Sequence, residues 1–158
     1  MNKSKIEIGI LGGSFDPAHK GHLAISKEAR KRFKLKKIIW AITKKNPLKA
    51  VSKTPVSKRI KDCKKLIGSN TFIKVKFYED TINSNKTIDL INYLKKNKKL
   101  EIFFLMGADN LISFHKWHKS KLITEKCNII VFDRHGYKKN SLKSKTFKKL
   151  NNKSLTFV

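Results

Sequence analysis

The sequence predicts a doubly wound α/β fold: a Rossmann-like parallel sheet of about five to six strands with flanking helices. Two observations predict it. Short runs rich in Ile, Val and Phe recur along the chain, each too short for a helix, which is typical of strands buried on both faces of a parallel sheet. Segments of helical periodicity separate these runs, and such alternation favours right-handed parallel crossovers.

Each apolar run is expected to form one strand, and the last residues of the chain begin a further one. The runs cover 6–11, 37–42, 72–77, 102–106 and 128–132, followed by 155–158. Because ligands of doubly wound sheets bind beyond the carboxyl ends of the strands, the loops after the first, fourth and fifth strands are the places to search for a site.

Three segments between the strands are expected to be helices. Residues 21–33 carry apolar side chains at four-residue spacing, opposite lysines. A second helix is expected to begin with Thr54 as its N-cap and Pro55 in its first turn, and to stop at Gly68. Residues 87–96 are again amphipathic. Pro55 and Gly68 are therefore expected to mark the beginning and the end of the second helix.

Length and charge bound the possible functions. The 158 residues, 39% of them hydrophobic, are enough for one domain, 1–158. The net charge of +27 invites a nucleic-acid partner. However, the cations are mostly Lys, spread over the whole chain, and aromatic residues do not interleave with them as on a stacking platform. We interpret the charge as a solvated surface that attracts anionic small molecules, and nucleic acid is not the expected partner.

Cysteine content and hydropathy indicate the compartment. Cys63 and Cys127 are far apart and do not form a C-x-x-C pair, which fits a reducing cytoplasm. The first apolar run is too short for a signal sequence, and no run approaches the roughly 18 apolar residues of a membrane span. The expected location is the cytoplasm, with no membrane partner, and the oligomeric state stays open.

The loop after the first strand, G-G-S-F-D-P-A-H-K-G-H over residues 12–22, has the residue types of a phosphate site. Gly12 and Gly13 lack a Cβ, so backbone amides there can approach a phosphate closely. His19 lies just before the expected helix and His22 in its first turn, so both imidazoles can converge on an anion at the helix N-terminus. The alternative is a packed strand-to-helix turn with two exposed polar histidines. Neither the P-loop nor the dinucleotide-binding pattern is present.

Residues 13–22, G-S-F-D-P-x-H-x-G-H, resemble the signature of the nucleotidyltransferase superfamily with the H-x-G-H motif. Residues 104–111, F-L-M-G-A-D-N-L, followed by Phe114, Trp117 and His118, resemble the matching segment of bacterial nicotinate-nucleotide adenylyltransferases. That resemblance implies a single nucleotidyltransferase domain that transfers the adenylyl group of ATP to nicotinate mononucleotide, giving nicotinate adenine dinucleotide and pyrophosphate. It also implies Mg²⁺ carried by the ATP phosphates, without a carboxylate cage in the protein.

The resemblance also implies roles for particular residues. His19, His22 and Lys49 are expected to be catalytic, Lys49 because N-P-L-K occupies the place of the family's P-P-H-K or P-P-H-R. The expected ATP contacts are Gly12, Gly13, Ser14, Phe15, His19, His22, Gly107 and Asp109. The expected mononucleotide contacts are Lys49, Thr87, Trp117, which would stack on the pyridine ring, and Arg134, in D-R-H-G-Y. No residue is expected to be a dedicated metal ligand.

Several alternatives remain open at this point. Asp109 could cap a short helix and Trp117 could belong to the core. His115 and His118, three apart on a presumed helix, lack the further ligands of a zinc site. The chain ends before the family's I-S-S-T-x-I-R segment, so we expect a C-terminally incomplete domain. Another phosphate acceptor, an RNA-binding module and an inactive nucleotide-binding domain are the competing functions.

Overall fold

The computed structural model describes residues 5–44 and 54–132, together with the backbone of 155–157. The strands are β1 Ile6–Gly13, β2 Lys37–Ile42, β3 Ile73–Lys76, β4 Leu100–Gly107, β5 Asn128–Phe132 and β6 Leu155–Phe157. The helices are α1 Lys20–Phe33, α2 Val56–Ile67, α3 Glu79–Ile82, α4 Thr87–Leu94, α5 Ala108–Phe114 and α6 Ser120–Lys126.

The six strands form one parallel sheet in the order β3-β2-β1-β4-β5-β6. The predicted doubly wound fold with five to six strands is therefore confirmed. The strand order reverses between β1 and β4, so the chain after β1 turns to one side of the sheet and the chain after β4 to the other. The carboxyl ends of these two strands flank the crevice in which such folds bind ligands.

Side chains that alternate along the strands build a core on each face of the sheet. On one face, Ile8 and Ile10 of β1 pack with the apolar sides of α4, α5 and α6. On the other face, Leu11 of β1 and Trp40 of β2 pack with α1 and α2. Because both faces are covered, the central strands are apolar on successive residues, which is why short continuous apolar runs predicted them correctly.

The helix boundaries correct three expectations. Pro55, not Thr54, is the N-cap residue of α2, and no side-chain hydrogen bond caps that helix. Helix α4 ends at Leu94, two residues before the predicted end. The helix presumed to carry His115 and His118 ends at Phe114, so this pair is not displayed on a helix.

The predicted end of α2 is confirmed. Gly68 is its C-cap residue and has φ of +55°, a backbone conformation that glycine adopts without strain. Across the part of the chain that the structure describes, no helix combines the length and the apolarity that a bilayer crossing demands.

Candidate active site

The first turn of α1 is held together by the two histidines of the H-x-G-H segment. His19 is the N-cap residue, and its Nδ1 accepts a hydrogen bond from the backbone N–H of Gly21 at 3.1 Å. In return, the backbone N–H of His19 donates to Nδ1 of His22 at 3.0 Å. This is a reciprocal capping box, with histidines in the places where Ser or Thr and Glu or Gln usually occur.

The capping box fixes which ring nitrogen of each histidine can serve a ligand. A nitrogen that accepts a hydrogen bond carries no proton, so in the neutral ring the proton lies on Nε2. The ring centroids of His19 and His22 are 4.0 Å apart, and His19 is exposed while His22 is half-buried. The pair therefore presents two Nε2–H donors of fixed tautomer at the N-terminus of a helix, where anions are favoured.

Two buried aromatic side chains, Phe15 and Trp40, pack against the ring of His22. The ring of Phe15, only 2% exposed, lies 4.6 Å from that of His22 and stacks on Trp40 at 5.1 Å. The indole Nε1–H of Trp40 donates to Oγ of Ser26, which donates to the backbone carbonyl of His22, both at 2.8 Å. Phe15 has φ of +51°, an unfavourable conformation that burial of its ring stabilises. The ring of Phe15 therefore belongs to the core that lies against the histidine pair.

Gly12 and Gly13 end β1 without being required by the packing of the protein itself. A Cβ at Gly12 would lie 3.6 Å from Cζ of Phe104, and one at Gly13 3.6 Å from Cε2 of Phe15, both ordinary contacts. Neither glycine has a positive φ. At Gly9, by contrast, a Cβ would lie 2.7 Å from Cδ1 of Ile38. Sequence reasoning singled out the two glycines at the site and missed the one that the core needs.

A narrow cleft opens beside Gly12 on the face of the sheet that carries α4. Its volume is only about 40 Å³, and it lies between the ends of β1, β2 and β4 and the segment from α3 to α4. Gly12, Thr87 and Phe104 line it, so the structure brings together one predicted ATP contact and one predicted mononucleotide contact. Lys86 and Glu79 also line the cleft, so one basic and one acidic side chain border it.

Trp117 lies behind one wall of this cleft. Its indole ring packs edge-on against Phe104 at 5.9 Å and lies 5.0 Å from Phe114, and the residue is half-buried. Trp117 is therefore in part a core residue, as the structural alternative expected, and in part accessible. Asp109 is not the cap of α5: Gly107 occupies the N-cap position, and Asp109 lies in the first turn, where the helix dipole favours a carboxylate.

Two polar residues that the sequence analysis did not select hold the loops of the site. Arg59 of α2 is 2% exposed, and its guanidinium donates hydrogen bonds to backbone carbonyls in the loops after β1 and β2. Glu79, the first residue of α3, accepts a hydrogen bond from the backbone N–H of Lys44 at 3.0 Å and lines the cleft. Burial raises the pKa of its carboxyl group, and that hydrogen bond opposes the rise.

Two predicted site residues, Lys49 and Arg134, lie outside the described residues, and their roles stay predictions. Within the described ranges, no three His, Cys, Asp or Glu side chains form a group that could hold a metal ion. The histidine pair offers two oriented hydrogen-bond donors at a helix N-terminus, which is the chemistry of binding phosphates.

Comparison with known proteins agrees with this geometry. Residues 10–155 match the model of the family described as cytidylyltransferase-like. A protein of Pelagibacter ubique named "Probable nicotinate-nucleotide adenylyltransferase" is 65% identical over 158 residues, which cover 100% of this chain and 88% of that protein. A protein of the same name from Agrobacterium fabrum is 38% identical over 131 residues, 82% of this chain and 70% of its own length.

The fold is shared with solved structures of low sequence identity. The nicotinic acid mononucleotide adenylyltransferase of Plasmodium falciparum, complexed with NaAD, matches with a TM-score of 0.76 at 19% identity, over 96% of this chain and 74% of that one. A crystal structure from Vibrio parahaemolyticus titled "a Putative Nicotinate-nucleotide Adenylyltransferase" matches with a TM-score of 0.67 at 17% identity, over 94% of this chain and 85% of that one.

Proposed function

This chain belongs to the cytidylyltransferase-like family and, within it, to the nicotinate-nucleotide adenylyltransferases, and we propose that its H-x-G-H segment binds the phosphates of ATP during adenylyl transfer. The reaction is adenylyl transfer from ATP to nicotinate mononucleotide, which yields nicotinate adenine dinucleotide and pyrophosphate and is a step of NAD biosynthesis. The capping box formed by His19 and His22 is the observation that carries the proposal, because it fixes two donors at a helix N-terminus.

In the proposed mechanism, a 5′-phosphate oxygen of the mononucleotide attacks the α-phosphorus of ATP in line. A bond forms between that oxygen and the α-phosphorus, and the bond from the α-phosphorus to the bridging oxygen of pyrophosphate breaks. The attacking phosphate is already ionised, so no general base is needed. The protein acts by positioning the reactants and by neutralising charge that grows on the transferring and leaving phosphates.

His19 and His22 are the groups that stabilise this charge. Their Nε2–H donors are oriented before the reaction begins, because the backbone amides of the capping box occupy both Nδ1 atoms. Donors that need no reorganisation as charge develops are the most effective electrostatic catalysts. Gly12 and Gly13 leave space for the nucleotide to approach the backbone at the end of β1, and ATP enters as its magnesium complex, with the ion on phosphate oxygens.

The cleft on the α4 side is the proposed mononucleotide site. Thr87 and Phe104 line it, and Trp117, which packs against Phe104 and is half-buried, is the aromatic ring beside this wall that the family resemblance assigns to the pyridine ring. Gly107 and Asp109, at the carboxyl end of β4, complete the nucleotide site by the family resemblance, as do Ser14, Phe15, Lys49 and Arg134.

Pyrophosphate release tests the assignment. ATP is incubated with the enzyme and with either nicotinate mononucleotide or nicotinamide mononucleotide, and a reaction without an acceptor controls for ATP hydrolysis. We expect pyrophosphate and dinucleotide in equal amounts, with nicotinate mononucleotide as the better acceptor. The proposal would be overturned if pyrophosphate formed equally well without an acceptor. It would also be overturned if only a phosphate ester other than these two mononucleotides served as the acceptor.

A further inference from the structure

Arg59 is a buried cation whose hydrogen bonds all lead to backbone carbonyls of loops at the site. Its Nε donates to the carbonyl of Thr54 at 2.9 Å, and its Nη1 to those of Ser14 at 2.9 Å and Thr43 at 2.8 Å. Its Nη2 donates to the carbonyl of Lys44 at 3.2 Å. The side chain is 2% exposed. One guanidinium therefore connects three separate segments of the chain.

Two of these segments end at the site. Ser14 follows Gly13 in the loop that leads to the histidines, and Thr43 and Lys44 follow β2, where Thr43 also lines the cleft. A backbone hydrogen bond of 2.8 Å from Thr43 N–H to the carbonyl of Gly13 joins the same two loops. Arg59 thus fixes the distance between the loop after β1, which we call the phosphate loop (residues 14–19), and the first residues after β2.

Glu79 holds the second of these loops from the opposite direction. The same residue, Lys44, gives its carbonyl to Arg59 and its N–H to Glu79. The peptide groups on the two sides of Lys44 are therefore each bonded to a charged side chain, one from α2 and one from α3. Hydrogen bonds to charged groups are stronger than those between neutral groups, so the backbone at Lys44 is firmly held.

The chemistry of the guanidinium suggests that the charge serves placement more than stability. Burying an ionised group is costly, and an apolar side chain at the same place often stabilises a fold more. A planar guanidinium, however, has five donors in a fixed fork, so it sets the relative positions of several carbonyls at once, which the single ammonium of lysine cannot do. The carbonyls belong to the backbone, so this arrangement depends on residue 59 and not on the side chains at 14, 43 or 44.

We propose that Arg59 is a positioning residue of the adenylyl-transfer reaction, which with Glu79 sets the phosphate loop and the loop after β2 at the separation required for in-line attack. The inference rests on the proposed function of the H-x-G-H segment, because it assumes that the phosphates are bound there. Arg59 itself touches no reacting atom; it acts through the backbone of Ser14, Thr43 and Lys44.

Arg59→Lys, which retains the charge and loses the fork, is the main test, with Cys63→Ala as the matched control. Cys63 lies one turn further along α2, is fully buried and is remote from the loops in sequence. Single-turnover rates and KM for both substrates are measured at a temperature where circular dichroism shows each variant to be folded. A misplacement of about 1 Å can cost on the order of 100-fold in rate, so we expect Arg59→Lys to lose on the order of 10- to 100-fold in the single-turnover rate, with far smaller changes in KM.

The control distinguishes positioning from stability. Cys63→Ala is expected to lower the melting temperature while the turnover rate of the folded enzyme stays at the wild-type value. If Arg59→Lys behaves in the same way, with lower stability and an unchanged rate, the inference is wrong. If the wild-type enzyme itself transfers no adenylyl group, the proposed function fails, whatever Arg59 does.

Glu79 provides a second test that does not depend on the folding of Arg59 variants. Glu79→Ala removes the acceptor for Lys44 N–H, whereas Glu79→Gln keeps an oxygen acceptor without the charge. We expect the Ala variant to lower the single-turnover rate, with the Gln variant recovering most of the loss. An unchanged rate in Glu79→Ala, or equal losses in both variants, would refute the role of the hydrogen bond in positioning.

Discussion

Replacement of His22 separates its structural role from its chemical one. His22→Ala removes both the Nδ1 that accepts the His19 amide and the Nε2 donor proposed for phosphate. His22→Asn keeps an acceptor, because Oδ1 of Asn lies about where Nδ1 of His lies, but it has no atom at the position of Nε2. The two variants therefore differ in the cap and are alike in lacking the donor.

The magnitudes follow from the contacts of His22. Loss of a capping hydrogen bond costs about 1 kcal/mol of stability. Loss of the ring contact with Phe15, at 4.6 Å, adds about 0.5–1 kcal/mol. A chain of this size shifts its melting temperature by roughly 2–4 °C per kcal/mol, so His22→Ala should melt roughly 3–8 °C below the wild type. His22→Asn should recover part of that difference.

The kcat values of the two variants should not follow the order of their melting temperatures. Loss of one donor to a developing phosphate charge costs on the order of 10²–10³-fold in kcat, so both variants should lose about that much. The assay is pyrophosphate release at saturating ATP and nicotinate mononucleotide, together with thermal melts followed by circular dichroism. If His22→Asn kept near-wild-type kcat, the capping bond would be what catalysis needs, and the assignment of Nε2 as a phosphate donor would be refuted.

Two further predictions concern the glycines of β1 and the buried thiols. Gly12→Ala should be as stable as the wild type, since its Cβ would contact only Phe104, at 3.6 Å, but it should lose at least about tenfold in kcat/KM. Gly9→Ala should lower the free energy of unfolding in urea by about 1–3 kcal/mol, while its folded fraction keeps the wild-type activity. Equal effects at both positions would contradict this assignment of the two glycines. Burial raises the pKa of Cys63 to about 11 and of Cys127 to about 12, from an ordinary value of 9.0. Because the unfolded thiols ionise first, stability should fall as pH rises from about 9 towards about 11–12. The double Cys→Ala variant should show a shallower fall in its urea midpoint, and an identical pH dependence would exclude the thiols as its cause.

Local sequence carried most of the phosphate site because the residues that form it are neighbours in the chain. His19 and His22 are three apart, so the start of one helix turn brings their rings together whatever the rest of the fold does. The same holds for Gly12 and Gly13, which follow an apolar run. The packing of Phe15 was different: its predicted contact with ATP stays a prediction, and only the tertiary structure shows that its ring stacks on Trp40 and lies against His22.

The strands and main helices were also predictable, because burial on both faces of a parallel sheet leaves uninterrupted apolar runs. The errors concerned a helix boundary and a very short helix. Thr54 has the composition of an N-cap, yet its carbonyl is held by Arg59 and Pro55 occupies the cap. Helix α3 was not predicted, since four residues carry too little periodicity to be recognised.

By itself, the sequence determined the fold class and the family to which the chain belongs, and it identified the turn that we propose binds phosphate. Only the tertiary structure decided what holds that turn in place: the hydrogen bonds of Arg59 to residues 14 and 43, and of Glu79 to residue 44, span 45, 16 and 35 positions of the chain. The acceptors of Arg59 are backbone carbonyls, which every residue type possesses, so no pattern of side chains in the sequence predicts these hydrogen bonds. Their partnership exists only after the sheet has brought the ends of β1 and β2 above α2.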